Sequence, residues 1–180
     1  MANNGKLDDA ISEYREATRI DPNNANAHYN LGVNLERQGK VDEAVGEYRT
    51  ALRINDGDAV AHVNLGAALG RQGKLDEAVG EFREAIRIDP HLAVAHMNLG
   101  NALAIQGKLN ETITEYLETL RIDQNNAPAH YNLGDALRQT GDRIGAAREF
   151  REFLNLAPNA GISKEDVERA RTILVELEKH

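Results

Sequence analysis

The chain has 180 residues and a formal net charge of -8, with 21 Lys and Arg against 29 Asp and Glu. That balance argues against a phosphate-backbone partner, which needs clustered basic side chains; the lack of cysteine excludes disulfides and thiolate metal sites. No apolar run approaches the roughly 20 residues of a membrane span, and the polar opening Met1-Ala2-Asn3-Asn4-Gly5 does not read as a signal peptide, so the composition fits a soluble cytoplasmic protein with no membrane partner.

In chain order, residues 5–24 come first. Leu7, Ile11, Tyr14 and Ala17 step by three and four along one helical seam, which Asp21-Pro22-Asn23-Asn24 closes. From Asn26 to Gln38 a second helix is predicted, with His28, Leu31 and Leu35 on its seam and Gly39-Lys40 at its end. A third is predicted from about Asp42 to Ile54, with Ala44, Val45, Tyr48, Ala51 and Leu52 inward and Asn55-Asp56-Gly57-Asp58 turning the chain. The pattern then repeats. Ala27-His28-Tyr29-Asn30-Leu31-Gly32 returns at Ala61, Ala95 and Ala129, always 34 residues on, and Gly39-Lys40-Val41-Asp42-Glu43-Ala44 returns at Gly73, with looser copies at Gly107 and Gly141. A unit of this size is too small to bury a core alone and must stack on its neighbours. Gly32, Gly66, Gly100 and Gly134 fall mid-helix on the inward face, where Gly costs about 1 kcal/mol against Ala. Close approach by Tyr48, Phe82, Tyr116 and Phe150, which recur at a fixed offset, is the expected compensation.

The Leu-Gly pair of the first helix, the loop Gly, the Ala44, Tyr48 and Ala51 pattern and the closing proline resemble the tetratricopeptide repeat family. The resemblance implies an all-α, right-handed solenoid of antiparallel helix pairs. Four full units fit, at 25–58, 59–92, 93–126 and 127–160, preceded by a half unit at 5–24, so residues 1–180 are expected to form a single solenoid. Some positions depart from the pattern. Thr112 and Thr119 replace small Ala, Phe153 does so in the last unit, Arg143 stands where Leu75 and Leu109 stand, and Asp56 and Gln124 replace proline.

Residues 161–180 read as a capping helix. Ser163 caps it with Asp166 three residues on, Ile162 staples to Val167, and Val167, Ala170, Leu174 and Leu177 form its apolar stripe. The other end has no such device. Leu7, Ile11 and Tyr14 are expected to be more exposed than their repeat equivalents, or covered by another molecule. Either the chain is cut from a longer array, which is the favoured reading, or the half unit mediates self-association.

On a helical wheel, Asn26, Asn30, Val33 and Arg37 lie opposite the seam of the first helix. The same positions return as Val60, Asn64, Ala67 and Arg71; Val94, Asn98, Asn101 and Ile105; Pro128, Asn132, Asp135 and Gln139. Tyr29, Val63, Met97 and Tyr131 flank them. In the resembled family that side lines a concave groove, so these positions are the candidate peptide-binding residues. Asn30, Asn64, Asn98 and Asn132 form a row of one type. Asn is a poor helix former, and its amide carries both donors and an acceptor, which suits a peptide unit. Adjacent helices pack at roughly 8–10 Å and an extended chain advances about 3.3 Å per residue, so one Asn would meet the backbone about every third residue. The row resembles the asparagine ladder of the O-linked N-acetylglucosamine transferase superhelix, which holds extended peptide by its main chain; inheritance by duplication accounts for it equally.

His28, His62, His96 and His130 form a second row, on the core seam. Zinc needs ligands about 2.0–2.1 Å away, and residues one repeat apart are too distant to share an ion, so no metal is expected. There is no cysteine nucleophile, phosphate loop or His-Glu-x-x-His, and Asp8-Asp9, Asp42-Glu43 and Asp76-Glu77 fall at helix starts, where they favour the dipole. Neither an enzyme nor a cofactor is expected. The function expected is a protein-interaction module that holds an extended peptide or a partner helix in its groove. The rivals are a substrate-docking arm of a larger enzyme, such as a glycosyltransferase, and a self-assembling scaffold. Family members that clamp the acidic C-termini of heat-shock chaperones use Lys and Arg beside Asn. Tyr29, Val60, Val63, Val94, Asn98 and Asn132 supply no such cation.

Overall fold

The computed structural model describes residues 2–179, with side chains from Lys6 onward. These residues are all-α. The elements are α1 (Ala2–Ile20), α2 (Ala25–Arg37), α3 (Val41–Ile54), α4 (Ala59–Arg71), α5 (Leu75–Ile88), α6 (Ala93–Ile105), α7 (Leu109–Ile122), α8 (Ala127–Thr140), α9 (Arg143–Leu156), a 3-10 turn at Ala157–Asn159, and α10 (Lys164–Glu178). No strand occurs among the described residues. The chain forms two compact units, Met1–Pro90 and His91–His180. In the first, α2 pairs with α3 and α4 with α5, while α1 packs on α2 and α3 on α4. In the second, α6 pairs with α7 and α8 with α9, while α7 packs on α8 and α10 on α9.

Local chemistry fixes the helix starts. Asn24, Asp58 and Asn126 each accept a hydrogen bond from the backbone N–H three residues on, at 3.0–3.1 Å, which satisfies one orphan donor of α2, α4 and α8. The loop after α2 turns at Gly39 with φ +82°, a left-handed conformation that Gly adopts without a Cβ penalty.

The inward glycines lie under aromatic rings, as the offset predicts. A Cβ on Gly66 would fall 2.6 Å from the Phe82 ring, and one on Gly32 or Gly100 would meet Tyr48 or Tyr116 as closely. Gly66→Val should therefore cost about 3 kcal/mol, the upper end of core overpacking. Gly80, in α5 with nothing within 4 Å of its Cβ direction, is the control. Gly80→Ala should raise stability by up to about 1 kcal/mol. A thermal melt in which both variants gain would show that the rings do not need the bare backbone.

The departures from the repeat pattern acquire reasons. Thr112 and Thr119 are fully buried, and each spends its hydroxyl on the carbonyl four residues back, of Lys108 at 3.1 Å and Glu115 at 2.9 Å. Phe153 is buried against Tyr131, with ring centroids 5.1 Å apart. The Arg143 guanidinium donates to the carbonyls of Glu176 and Leu177 at 3.2 and 3.0 Å, closing the C-terminal end of α10 where carbonyls lack helical partners. At the start of α10, Ser163 accepts from the Asp166 N–H at 3.1 Å, but the Asp166 carboxylate accepts from the Ser163 hydroxyl at 2.6 Å. A full capping box would place that carboxylate on the Ser163 backbone N–H instead.

The exposure expected at the first helix holds for one face and fails for the other. Tyr14 is half-buried, whereas Tyr48, Phe82, Tyr116 and Phe150 are buried. Ile11 is buried, contrary to expectation, and Leu7 is half-buried like Val41 and Leu75. The division follows the packing of α1 on α2, which covers Ile11. Tyr14 belongs to the face that in other repeats lies over a glycine of the paired helix.

Candidate functional site

The candidate residues fall on the first helix of each repeat, α2, α4, α6 and α8. Asn30, Asn64, Asn98 and Asn132 are all half-buried, Asn26 is exposed, and Val60 and Val94 are each 48% exposed. Val63 departs from expectation. It is buried in the core of the first unit, so its side chain has no open surface on which to receive a ligand. Tyr29 and Tyr131 are half-buried and spent mainly on packing. Tyr29 lies 5.9 Å from Tyr48 between ring centroids, and Tyr131 lies edge-on to Phe150 at 5.5 Å. Met97 packs on the cluster of Tyr116, Leu133 and Ala136.

The asparagines divide into two kinds. The Asn64 amide donates to the Tyr29 hydroxyl at 2.9 Å, and the Asn132 amide donates to Asn101 Oδ1 at 3.0 Å. Both bonds tie a helix to the first helix of the preceding repeat. Among the described residues, no side-chain hydrogen bond forms at Asn30 or Asn98; the Asn30 carbonyl accepts from Asn34 at 2.7 Å.

Two recesses open beside this row, at the same place in the repeat but two repeats apart. In the first unit, a recess of about 380 Å³ is lined by Val33, Glu36, Arg37, Tyr48, Asn64 and Arg71. There the Tyr48 hydroxyl donates to Glu36 at 2.8 Å, and Arg71 pairs with the same carboxylate. Burial and the neighbouring Tyr29 push the Tyr48 phenol up to about 12, against the opposing charge of Arg37. In the second unit, a recess of about 290 Å³ is lined by Asn101, Ala104, Ile105, Asn132, Asp135 and Gln139, over Tyr116. Here the Tyr116 hydroxyl donates to Asn101 Oδ1 at 2.8 Å, and burial pushes its phenol up to about 12. Asp135 accepts from Arg138 at 2.7 Å and from Gln139 at 2.8 Å. Glu36 and Ala104 hold one repeat position, 68 residues apart, and neither stands out in the sequence because charge and small size are both ordinary on a helix surface.

The histidine row is built differently from a metal site. Nδ1 of His28, His62, His96 and His130 lies 2.6–2.7 Å from Glu47, Glu81, Glu115 and Glu149 of the paired helix. Nε2 of His28, His62 and His130 also faces a backbone carbonyl of the turn before, of Pro22 and Asp56 at 3.2 Å and of Gln124 at 3.1 Å. Only the main chain of that turn is used, which explains why Asp56 and Gln124 serve where Pro22 does. Both ring nitrogens face acceptors, so both contacts are hydrogen bonds when the ring carries both protons. The glutamates are partners of the histidines that sequence reasoning missed, although they return with them at the same 34-residue step. The acidic pairs at helix starts also do more than favour the dipole. Asp42 accepts from Gln72 at 2.7 Å, Glu77 pairs with Arg49 at 2.7 Å, and Asp8 accepts from Gln38.

Comparison with known proteins places this architecture. Family models described as TPR repeat match residues 3–39 and 100–141, and models described as Tetratricopeptide repeat match residues 23–90 and 127–160. No curated protein sequence matches the chain. Among solved structures, MamA is similar with a TM-score of 0.83 and 24% identity, over 89% of this chain and 94% of that one. YrrB, described as a TPR protein with an unusual peptide-binding site, is similar with a TM-score of 0.76 and 20% identity, over 99% and 87%. The first TPR of Spaghetti, solved bound to an HSP90 peptide, is similar with a TM-score of 0.64 and 24% identity, over 65% and 93%. The fold is that of the tetratricopeptide solenoid, and no helix among the described residues is long and apolar enough to cross a membrane. With repeat models matching along most of the chain and helix pairs throughout the described residues, the chain belongs to the tetratricopeptide repeat family.

Proposed function

We propose that the protein is a non-enzymatic interaction module that holds an extended peptide by its main chain along the asparagine-bearing face. Residues 1–180 act in this reading as a single module. The observation that carries it is the half-exposed Asn at one position of every first helix, with the amides of Asn30 and Asn98 spent on no neighbour among the described residues. Each such amide offers donors and an acceptor to a peptide unit. The row resembles the ladder of the O-linked N-acetylglucosamine transferase superhelix, and two proteins of the same fold, YrrB and the Spaghetti domain, are described with a peptide site or a bound peptide. Tyr29, Arg71, Asn101, Tyr131 and Asp135 shape the face through packing and pairing. Asn26, Val60, Val94 and Met97 supply its remaining surface.

The test is a double variant, Asn30→Ala with Asn98→Ala, assayed by calorimetry against peptides selected on the wild type from a displayed random library. Each lost amide contact costs about 0.5–1.5 kcal/mol, so affinity should fall by roughly one to two orders of magnitude. The melting temperature should not fall, since neither side chain bonds a neighbour and Ala is the better helix former. Asn64→Ala is a poorer probe, because it also removes the bond to Tyr29. Unchanged affinity in the double variant would remove the asparagines from the function.

A further inference from the structure

We infer that the recess between α6 and α8 reads an uncharged aliphatic side chain of the bound peptide, a specificity that rests on the peptide reading above. The recess in the first unit provides the comparison. There Glu36, Arg37 and Arg71 bring three charged groups to one small volume. At the same positions in the second unit stand Ala104, Ile105 and Gln139. The change is one of polarity, since both recesses persist. Ala104 is half-buried on the wall, and Ile105 is 70% exposed at the rim. The floor is the buried ring of Tyr116 with Ala136.

Charge complementarity decides the occupant. The one charged side chain lining this recess is Asp135, and its carboxylate is already taken by the Arg138 guanidinium and the Gln139 amide. An incoming Glu would be desolvated beside Asp135 with no free cation, and an incoming Lys would have to compete with Arg138 and Gln139 for the one carboxylate, whereas burying an aliphatic group carries no such cost. Asn101 Oδ1 is also spent, on the Tyr116 hydroxyl and the Asn132 amide, so that acceptor is not open to a polar side chain. An aliphatic side chain instead covers Ile105 and Ala104 and leaves every one of these bonds intact. A volume of about 290 Å³ admits one such side chain with room at the mouth for the main chain.

The test exchanges the polarity of the two recesses. Ala104→Glu with Gln139→Arg rebuilds in the second unit the ion pair of the first. Ile105→Ser, at an exposed position, removes the apolar rim with little effect on folding. A displayed random peptide library is panned on the full chain, and the selected peptides are measured on wild type and on both variants. The peptides should share one position rich in Leu, Ile, Val or Met, and putting Glu or Lys there should weaken binding roughly ten- to hundredfold, the range for losing one buried apolar side chain. Both variants should show a loss of the same order, with helical circular dichroism retained. Selected peptides with no aliphatic position, or with equal affinity for wild type and both variants, would overturn the specificity. If those peptides still lost affinity to the Asn30, Asn98 double variant, the peptide reading would survive. If the library yielded no binder, both readings would fall.

Discussion

Phe150→Ala should destabilise the protein by about 3–5 kcal/mol, the range for emptying a buried aromatic site. Phe150 is fully buried in a cluster with Ala127, Ala146, Phe153, Ala157 and Ala170, and Tyr131 packs edge-on against it. Its ring also lies where a Cβ on Gly134 would sit 3.1 Å away, so at that point of α8 there is no side chain with which to fill the void. In a repeat array each unit contacts only its neighbours, and the loss should therefore begin locally. Hydrogen exchange should show α8, α9 and α10 losing protection first. A loss under about 1 kcal/mol would mean that the neighbours collapse into the void.

The second large effect is a pH-dependent one at His130 and Glu149. The hydrogen bond to Glu149 holds the His130 imidazole above its ordinary range. Burial opposes this, while the Gln124 carbonyl and the charges of Glu149 and Glu152 reinforce it. Burial pushes the Glu149 carboxyl up, but the bonds from His130 and Arg148 outweigh it and leave the group below its usual range. A raised His contributes stability that is complete below its unfolded value, about 6.5, and is lost as pH rises through the folded value. A lowered Glu contributes above its unfolded value, about 4.3, and loses that as pH falls through the folded value. The pair therefore stabilises most between about pH 4.5 and 6.5. His130→Gln should cost about 1.5 kcal/mol there, the lower end for a bond to a charged group, because the imidazole keeps some solvent contact. The cost should shrink above the folded value. Proton NMR should place the titration of His130 above that of a free imidazole and return it in Glu149→Gln. An ordinary midpoint, or a cost that grows as pH rises, would contradict the pairing.

The repeat, the helix pairs and the glycine–aromatic contacts were legible because each depends on residues at fixed offsets within one unit. What joins successive units was harder to read. Gln72 on Asp42, Arg49 on Glu77 and Asn64 on Tyr29 join residues about 30 positions apart, and each partner alone looks like ordinary surface polarity. The glutamates opposite the histidines hid in the same way. Val63 was misplaced because a wheel assigns faces within a single helix and takes no account of what packs on that helix from elsewhere. Ile11 failed the expectation for the mirrored reason: α2 covers it without any help from an earlier helix.

The claim that a peptide is held by its main chain is tested most directly by methylating that main chain. A peptide selected from the library would be titrated calorimetrically into the full protein as the parent, as an alanine scan and as a series of single backbone N-methyl forms. Main-chain recognition by Asn amides predicts that methylation at the contacted positions, about every third residue, weakens binding two- to tenfold per lost contact. Alanine at all but the aliphatic anchor should change little. A scan in which alanine substitutions abolish binding while every N-methyl form binds like the parent would contradict it.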